Sequence, residues 1–341
     1  MLPSALSRTD EFETRFAERL LELLELPAGR DAFGLFILVL ANAGTMPGLT
    51  QRLGPALRQA GRRLASLPPE RMQEAPPDDL VVFRKLQDID PGHPPQVEQR
   101  SAGPWQLQLN PLRRLRPARN SNAAIRELHR PFDERGFHFD KPFLEREILW
   151  RGDLDGLELR LLFNKFPFAR YHCLALINAA EHRPQFLEQQ HLEQLLQVMD
   201  ALSGLDGLAF AWNSLGAQAS VNHQHWQMTL CDTPYPVESA SWRHNGGDRD
   251  YPLPVFSFDS VGELWAAIDD CQRQNRAFNL FLRPGQYRLI RRRLQGDYAV
   301  PEWSGGMAWS EVCGAFSLGD EGVFRGLGER DIDRLLRALM P

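Results

Sequence analysis

The fold of this chain is indicated most clearly by the stretch Asn213-Ser-Leu-Gly-Ala-Gln-Ala-Ser-Val-Asn-His-Gln-His-Trp-Gln227. Residues 221–230 have the pattern of a β-strand, in which His223, His225 and Gln227 occupy every second position. Because side chains alternate between the two faces of a strand, we expect the two imidazoles and the amide to share one face. The small residues before them predict a loop that can approach a ligand closely.

Two imidazoles and an amide beside such a loop predict nucleophilic catalysis at phosphorus. We expect His225 to be the nucleophile and its ring to be open to an incoming phosphorus atom. His223 and Gln227 would orient that ring and hydrogen-bond the phosphate oxygens. Ser220 would donate its hydroxyl, and Gly216 would let backbone N–H groups reach the ligand.

The residues leave two other interpretations of this strand open. The histidines could be structural, or His223 and His225 could chelate a metal ion from alternate strand positions. No third metal ligand is evident nearby, and the four isolated cysteines form no C-x-x-C pair. We therefore predict no metal site and no cofactor.

Composition and charge are those of a soluble globular enzyme. Charged residues make up 24% of the 341 residues and hydrophobic residues 43%, which suits a chain with a large core. The net charge of −5 argues against a nucleic-acid partner. The most apolar run, 33–44, is too short to span a membrane, and the N-terminus lacks the pattern of a signal peptide. We expect a cytoplasmic protein without a membrane partner.

Hydrophobic periodicity predicts helices and strands without regular βαβ alternation, so an α+β fold with antiparallel pairing is favoured over a doubly wound sheet. Residues 33–44 are predicted as a buried helix or strand, and residues 46–76 as irregular helix. Other helices are predicted at 10–26, 186–202, from Ser260 onward and at 330–339. Strands are predicted at 79–86, 105–109, 157–163, 172–177, 208–212 and 221–230, with a hairpin at 278–291. Arg291 to Arg293 are predicted to lie at a solvated sheet edge.

Cationic side chains are expected near a phosphate site, because an acidic protein needs local positive charge to bind a dianion. An arginine cluster, which contains Arg113, Arg114, Arg116 and Arg119, precedes the motif and can supply that charge. Lys165, in the loop 164–172, is another candidate cation. A solvated surface role remains open for these arginines and for Lys165. We predict structural roles for the remaining nearby histidines, namely His129, His172, His182 and His191.

The motif and the segments around it resemble the histidine-triad superfamily, in the branch of nucleotidyltransferases and phosphorylases whose motif ends in glutamine. The resemblance is greatest to the GDP-hexose phosphorylases, which include GDP-L-galactose and GDP-D-glucose phosphorylases, and covers roughly residues 105–341. It is carried by the motif and by Gln108-Leu-Asn110, Arg113, Arg116-Pro117, Arg130-Pro-Phe-Asp133, Phe137-His-Phe139, Lys141, Tyr251-Pro252 and Asn275 with Asn279-Leu280.

The resemblance implies a histidine-triad-like antiparallel sheet with packed helices. A catalytic lobe would occupy residues 101–235 and a C-terminal lobe of the same α+β unit residues 236–341. Residues 1–100 lie outside the resemblance, and we expect them to form a mostly helical extension that covers the catalytic lobe or makes a homodimer contact. Asn213 and Gly216 would belong to the substrate site. Arg113 and Arg116 resemble part of an R-x-x-R-P element in the related hexose-1-phosphate uridylyltransferases, and this resemblance implies that they approach the diphosphate. It also implies that the loop 164–172 lies near the nucleobase and ribose, so that Asn164 would bind ribose or phosphate and Lys165 phosphate.

The resemblance also implies a reaction between a nucleotide sugar, with a GDP-hexose favoured, and inorganic phosphate. His225 would carry the nucleotide in a covalent intermediate, and hexose 1-phosphate and a nucleoside diphosphate would be released. The loop 164–172 is more similar to diadenosine tetraphosphate phosphorylases, so a dinucleoside polyphosphate (Ap4A-type) phosphorylase or adenylyltransferase is the alternative. A non-catalytic nucleotide-binding regulatory protein is the third interpretation.

Overall fold

The computed structural model describes residues 6–26, 29–115, 123–304 and 306–341. Within these ranges, five helices precede the first strand. They are α1 (Thr9–Glu25), α2 (Ala32–Ala43), α3 (Pro47–Ala65), α4 (Pro69–Met72) and α5 (Pro77–Lys85). The N-terminal part of the chain is therefore mostly helical, as predicted.

Helix α1 attaches this helical part to the rest of the protein through its apolar stripe. Phe12, Phe16, Leu20 and Leu24 recur on one side of the helix and are buried, as the periodicity predicted. The ring of Phe16 lies 4.9 Å from that of Phe163 and 5.1 Å from that of Tyr171, measured between centroids. Residues of α1, α2 and α3 therefore share one apolar core with the sheet behind them.

The predicted strand at 79–86 is wrong, because Pro77–Lys85 forms helix α5. Pro77 stands at the first helical position, where its missing N–H costs nothing, and Asp78 and Asp79 follow in the first turn. Those helix-start signals outweigh the β-propensity of the apolar residues that follow them.

Eight strands form the large sheet, in the order β3-β4-β5-β7-β6-β9-β10-β8, and every neighbouring pair is antiparallel. They are β3 (Ile148–Leu154), β4 (Leu157–Phe163), β5 (Cys173–Ile177), β6 (Leu208–Asn213), β7 (Trp226–Leu230), β8 (Val255–Phe258), β9 (Ala277–Arg283) and β10 (Gln286–Arg292). The α+β class and the antiparallel sheet are confirmed.

A second, three-stranded sheet has the order β1-β2-β11. Its strands are β1 (Glu98–Ala102), β2 (Trp105–Leu109) and β11 (Ala315–Leu318), and β2 pairs in parallel with β11. The remaining helices are α6 (Gln189–Ala201), α7 (Val261–Arg273), α8 (Trp309–Val312), α9 (Glu321–Gly326) and α10 (Glu329–Arg337).

The two faces of the large sheet belong to different apolar clusters. Along β6, Phe210 and Trp212 pack into the cluster that contains α6, α7 and the N-terminal helices, whereas Ala209 and Ala211 pack into the cluster of the small sheet. This is the alternation that a strand imposes on its side chains. We call the side that carries Ala209 and Ala211 the front face.

Two further predictions about strands are wrong. Of residues 221–230, only Trp226–Leu230 forms the strand β7, whereas residues 221–223 form a bend and residues 224 and 225 have no regular secondary structure. Arg291 to Arg293 do not lie at a solvated edge, because β8 pairs outside β10. Arg292 is 1% exposed, and its guanidinium donates hydrogen bonds to the carbonyl of Met307 and the hydroxyl of Tyr298.

Strands from residues 148–230 and from residues 255–292 join the same large sheet. The domain boundaries 1–100, 101–235 and 236–341 remain a prediction. In the ranges that the structure describes, no helix is long and apolar enough to cross a bilayer.

We expect Phe16→Ala to lower the free energy of unfolding by about 3–5 kcal/mol, because it leaves a cavity where α1 meets the sheet. Chemical denaturation would measure the loss. The control is Val81→Ala at a side chain that is 48% exposed, which should change the stability by less than about 0.5 kcal/mol. Equal stability of the two variants would show that α1 does not pack on the sheet.

Candidate active site

The motif lies on the front face, between two apolar clusters. Gln227 is opposite Leu174 of β5 and Ala211 of β6, and directly paired residues share a face. Leu174 packs on a cluster that includes Phe139 and Leu162, whereas Ala211 belongs to the cluster of the small sheet. The polar side chain of Gln227 therefore lies on the front face between these two apolar clusters.

One hydrogen bond fixes the orientation of the His225 ring. Its Nδ1 lies 2.8 Å from the carbonyl oxygen of His223. Because a carbonyl only accepts, Nδ1 carries the proton and the lone pair of the neutral ring is on Nε2. The arrangement provides an imidazole nitrogen that can act as a nucleophile.

The backbone of His225 is held by a side chain, since this residue precedes the strand β7. The His225 N–H donates to Gln185 Oε1 at 3.0 Å, and Gln185 Nε2 donates to the His225 carbonyl at 3.2 Å. The same Nε2 donates to the carbonyl of Asn213 at 3.1 Å. Gln185, which our sequence analysis missed, thus joins the end of β6 to the start of β7.

The His225 side chain is less open than the sequence analysis expected. The residue is 3% exposed, and the Phe139 ring lies 4.9 Å from its ring. Little of the His225 surface is therefore open to solvent.

Both ring nitrogens of His223 bind backbone groups. The N–H of Phe139 donates to Nδ1 at 3.1 Å, so Nε2 carries the proton and donates to the Ala179 carbonyl at 3.0 Å. Burial lowers the pKa of His223 to about 4, so the ring is neutral near pH 7. The His223 side chain thus holds the Phe139 segment, and the His223 carbonyl orients His225. The spacing of the motif predicts that the His223 ring binds phosphate, whereas in the structure both of its nitrogens bond to the protein backbone.

Gln227 is oriented by a histidine that the sequence analysis had assigned a structural role. His172 Nε2 lies 2.6 Å from Gln227 Oε1, so the ring donates to the amide oxygen. The NH₂ group of Gln227 donates to no acceptor among the residues that the structure describes, and it remains available for a ligand. A signal for His172 existed in its position at the start of a predicted strand, but the pairing of that strand with the motif was not evident from sequence.

The loop 164–170 is fastened to the small sheet through its carbonyl groups. Gln108 Nε2 donates to the Phe168 carbonyl at 2.6 Å, and Asn110 Nδ2 donates to that of Pro167 at 3.1 Å. The Phe168 ring lies 4.4 Å from the His172 ring, between centroids. The loop therefore contacts the residue that orients Gln227.

Arg113 is the candidate cation that the structure brings to this region. Its guanidinium carbon lies 4.5 Å from the centroid of the Phe168 ring, and Nη1 donates to the Phe166 carbonyl at 3.2 Å. Burial lowers the pKa of Arg113, and the charge of the buried Glu311 opposes that shift. Arg116, the second preferred arginine, lies outside the described residues.

Asn164 and Lys165 have protein partners. Asn164 Oδ1 accepts from the N–H of Phe166 at 3.0 Å, and its Nδ2 lies 3.3 Å from His172 Nε2. Lys165 Nζ forms an ion pair with Asp79 Oδ1 at 2.6 Å, which directs it toward helix α5. The structure therefore places Asn164 beside the candidate site and Lys165 against the helical extension.

Asn213, Gly216 and Ser220, the three candidate residues of the small-residue loop, have different environments. Asn213 is buried, and its Oδ1 accepts from Asn279 Nδ2 at 2.7 Å and from the Trp309 N–H at 2.9 Å. A Cβ on Gly216 would lie 2.4 Å from a methyl group of Leu294, so packing explains this glycine. Ser220 is exposed to solvent. Of the three, Ser220 alone presents its side chain at the surface.

A patch of three phenylalanines leads from the surface to His225. Phe137 and Phe143 are 53% and 58% exposed, and their ring centroids are 6.3 Å apart. The Phe137 ring lies 5.7 Å from that of Phe139, which contacts His225. We call Phe137, Phe139 and Phe143 the phenylalanine patch. Large exposed apolar groups of this kind mark binding surfaces.

No group of three or more histidine, cysteine, aspartate and glutamate side chains in the described ranges could hold a metal ion.

Comparison with known proteins gives a partial sequence match and a match in fold. Residues 103–229 match the family model described as the GDPGP1-like N-terminal domain. No curated protein matches the chain significantly.

Two crystal structures of yeast Ap4A phosphorylase Apa2 are similar to this chain. The first is 17% identical, with a TM-score of 0.50, and the match covers 72% of this chain and 86% of the yeast chain. The complex of the same enzyme with AMP is 16% identical, with a TM-score of 0.50, and covers 72% and 88%. At such identity the match establishes the fold alone. Residues 103–229 thus match a GDPGP1-like N-terminal domain, which agrees with the resemblance found in the sequence of this part of the chain, and the protein has a fold similar to that of Ap4A phosphorylase.

Proposed function

We propose that this protein is a nucleotidyl-transferring phosphorylase that cleaves a nucleoside diphosphate hexose, preferably a GDP-hexose, with inorganic phosphate. The observation that carries the proposal is the bond from His225 Nδ1 to the His223 carbonyl, which leaves the nucleophilic lone pair on Nε2. The GDPGP1-like domain at residues 103–229 supports the same reaction class.

In the first step, His225 Nε2 attacks the α-phosphorus of the nucleotide sugar. The bond between this phosphorus and the bridging oxygen breaks, and its electron pair leaves with hexose 1-phosphate. In the second step, an oxygen of inorganic phosphate attacks the same phosphorus, the N–P bond breaks, and the nucleoside diphosphate is released. The electron pair of that bond returns to Nε2, which restores the starting enzyme.

The residues around His225 would stabilise the charge that develops at phosphorus. The NH₂ group of Gln227, which His172 turns outward, would donate to a nonbridging oxygen. Arg113 would offset the negative charge of the diphosphate from its position on Phe168. An amide cannot act as a general acid or base as an imidazole can, which would favour transfer to phosphate over hydrolysis. Neither a metal ion nor a cofactor takes part in this scheme.

The alternative substrate is a dinucleoside polyphosphate. It is supported by the fold that the chain shares with yeast Ap4A phosphorylase, and the same His225 chemistry would apply. A non-catalytic nucleotide-binding protein is the third possibility, and loss of the covalent intermediate would separate it from both enzymes. A homodimer contact through the helical extension also remains a proposal.

The central prediction concerns the covalent intermediate. After incubation with GDP-D-glucose without phosphate and rapid quenching, intact mass spectrometry should detect one GMP per chain in an acid-labile linkage. His225→Ala should abolish the adduct, whereas His93→Ala, at an exposed histidine, should retain it. An adduct in His225→Ala, or none in the unmodified protein with any nucleotide sugar or dinucleotide, would contradict the mechanism. Adducts from dinucleotides alone would favour the alternative substrate.

A second prediction assigns the nucleobase to the phenylalanine patch. Stacking of a base on an aromatic side chain contributes about 1–3 kcal/mol, so Phe137→Ala and Phe143→Ala should each raise KM about 5- to 150-fold with a smaller effect on kcat. Phe256→Ala is the matched control, because Phe256 is also partly exposed but lies on β8, at the far edge of the sheet. Steady-state kinetics with GDP-D-glucose would measure the change. Unchanged KM values for both variants would place the base elsewhere.

A third prediction follows from the neutral His223. Its pKa falls from an ordinary value of 6.5 to about 4 because of burial, so the unfolded chain binds more protons than the folded one between these values. The contribution of the neutral His223 to the free energy of unfolding is therefore fully present above pH 6.5. It is lost as the pH falls toward 4, and the loss reaches roughly 3 kcal/mol. His223→Asn does not titrate and retains an acceptor for the Phe139 N–H.

Denaturant unfolding at several pH values should therefore give a flatter stability profile for His223→Asn than for the unmodified protein between pH 6.5 and 4. His93→Asn should change the profile far less, because His93 is exposed and pairs with an exposed carboxylate, Asp90. Identical slopes for His223→Asn and the unmodified protein would mean that His223 is not held neutral by the fold.

A further inference from the structure

A cavity of about 430 Å³ lies beside the candidate site, against the small sheet. It is bounded by the loop residues 168–170, by residues 231–235 after β7, and by strands β1, β2 and β11. Phe168 belongs both to its wall and to the contact with His172. The cavity is therefore next to the Gln227–His172 pair, toward the C-terminal end of β7, and its size is typical of a small-molecule site.

We propose that this cavity binds the hexose of the nucleotide sugar, the part that leaves as hexose 1-phosphate. The proposal rests on the function proposed above and identifies a neutral polyhydroxyl group as the occupant. It makes the residues of the small sheet determinants of sugar specificity.

The first argument is the orientation of two amides in the wall. Gln106 Nε2 donates to the Pro234 carbonyl at 2.9 Å, and Gln108 Nε2 donates to the Phe168 carbonyl at 2.6 Å. Because a carbonyl only accepts, these contacts fix which end of each amide is nitrogen. Each Oε1 is left without a donor among the described residues. Such oxygens accept from sugar hydroxyls and repel phosphate oxygens.

The second argument is the lack of uncommitted cations in the wall. Arg170 Nη1 pairs with Asp232 Oδ2 at 3.0 Å. Arg100 Nε donates to the Phe324 carbonyl at 2.8 Å, and its Nη2 donates to the Leu327 carbonyl at 2.6 Å. Because both guanidinium groups already have partners, the cavity is poorly suited to the additional phosphates of a dinucleoside polyphosphate.

The third argument is the chemistry of the rest of the wall. Ser101, Thr233 and Ser317 provide hydroxyl groups, while Phe168 and Tyr235 provide apolar surface. A hexose has hydroxyl groups at its rim and C–H groups on its faces, so it matches a lining of both kinds.

The order of the groups along the substrate agrees with this assignment. The phenylalanine patch contacts His225, which precedes β7, and the cavity begins at Phe168 and continues past Leu230 at the end of β7. A nucleotide sugar with its base on the patch and its α-phosphate at His225 would extend its hexose toward the cavity. Arg113, stacked on Phe168, would lie beside the diphosphate.

Ser101→Trp tests the assignment, because Ser101 is exposed on the edge strand β1 and a large side chain there would fill the cavity. The readout is the rate of GMP transfer to His225 from two donors. GDP-D-glucose carries a hexose, whereas GDP reacts by reversal of the second step and releases phosphate. The variant should lower kcat/KM at least about tenfold with GDP-D-glucose and change it less than about twofold with GDP.

Gln106→Leu removes one amide oxygen without filling the cavity. It should also lower kcat/KM with GDP-D-glucose more than kcat/KM with GDP. Ser260→Trp is the matched control, since Ser260 is exposed at the start of α7 and caps it with no side-chain hydrogen bond. This control should leave kcat/KM unchanged with both donors. Reaction with GDP also reports whether each variant is folded.

The outcomes separate the two proposals. If the unmodified protein accepts GMP from neither donor and AMP from no dinucleotide, the proposed function fails, and the cavity assignment fails with it. If GMP transfer from both donors occurs but Ser101→Trp slows them equally or not at all, the function stands and the cavity assignment is overturned. Transfer from diadenosine tetraphosphate but from no nucleotide sugar would also overturn the assignment while leaving the histidine chemistry intact.

Discussion

The geometry of the site depends on the amide of Gln185. His225 lies just before β7, and Gln185 bonds both its backbone N–H and its carbonyl. Gln185 is itself held, because its N–H donates to Asn222 Oδ1 at 3.0 Å and Asn222 Nδ2 donates to the Pro131 carbonyl at 2.9 Å. A buried amide whose donors and acceptors are all paired favours a single local structure. An alternative structure that left one of these groups unpaired would cost roughly 1–3 kcal/mol.

Hydrogen-bond partners, rather than spacing along the chain, determine which ring nitrogen of each motif histidine carries the proton. The two histidines of the motif have different hydrogen-bond partners, so they have opposite tautomers. His223 carries its proton on Nε2 and serves the protein, while His225 carries its proton on Nδ1 and directs Nε2 to the ligand. The spacing of the motif identified the pair, and the carbonyl between them distinguishes the two roles.

Local patterns predicted elements whose packing follows directly from periodicity. The stripe of α1, the strands β2, β4, β5 and β6, and the hairpin of β9 and β10 all lie where the sequence indicated. Tertiary contacts decided the rest. Gln185 and His172 act through partners 40 and 55 residues away, and Gly216 is explained by Leu294 from the C-terminal part. The strand predicted from Val221 begins at Trp226, because Gln185 takes the place of a ladder partner at His225.

The parallel pairing of β2 with β11 has a consequence for how the protein assembles. Gln106 and Gln108 lie opposite Ala315 and Ser317, so this part of the small sheet joins segments separated by about two hundred positions. Closing so long a loop is entropically costly, and contacts of high sequence separation form slowly. On the ribosome, the large sheet can emerge and pair its strands before β11 is synthesised. The wall of the cavity that β11 completes is then ordered late in synthesis. A chain that ended before β11 would contain His225 but would lack a complete cavity beside it.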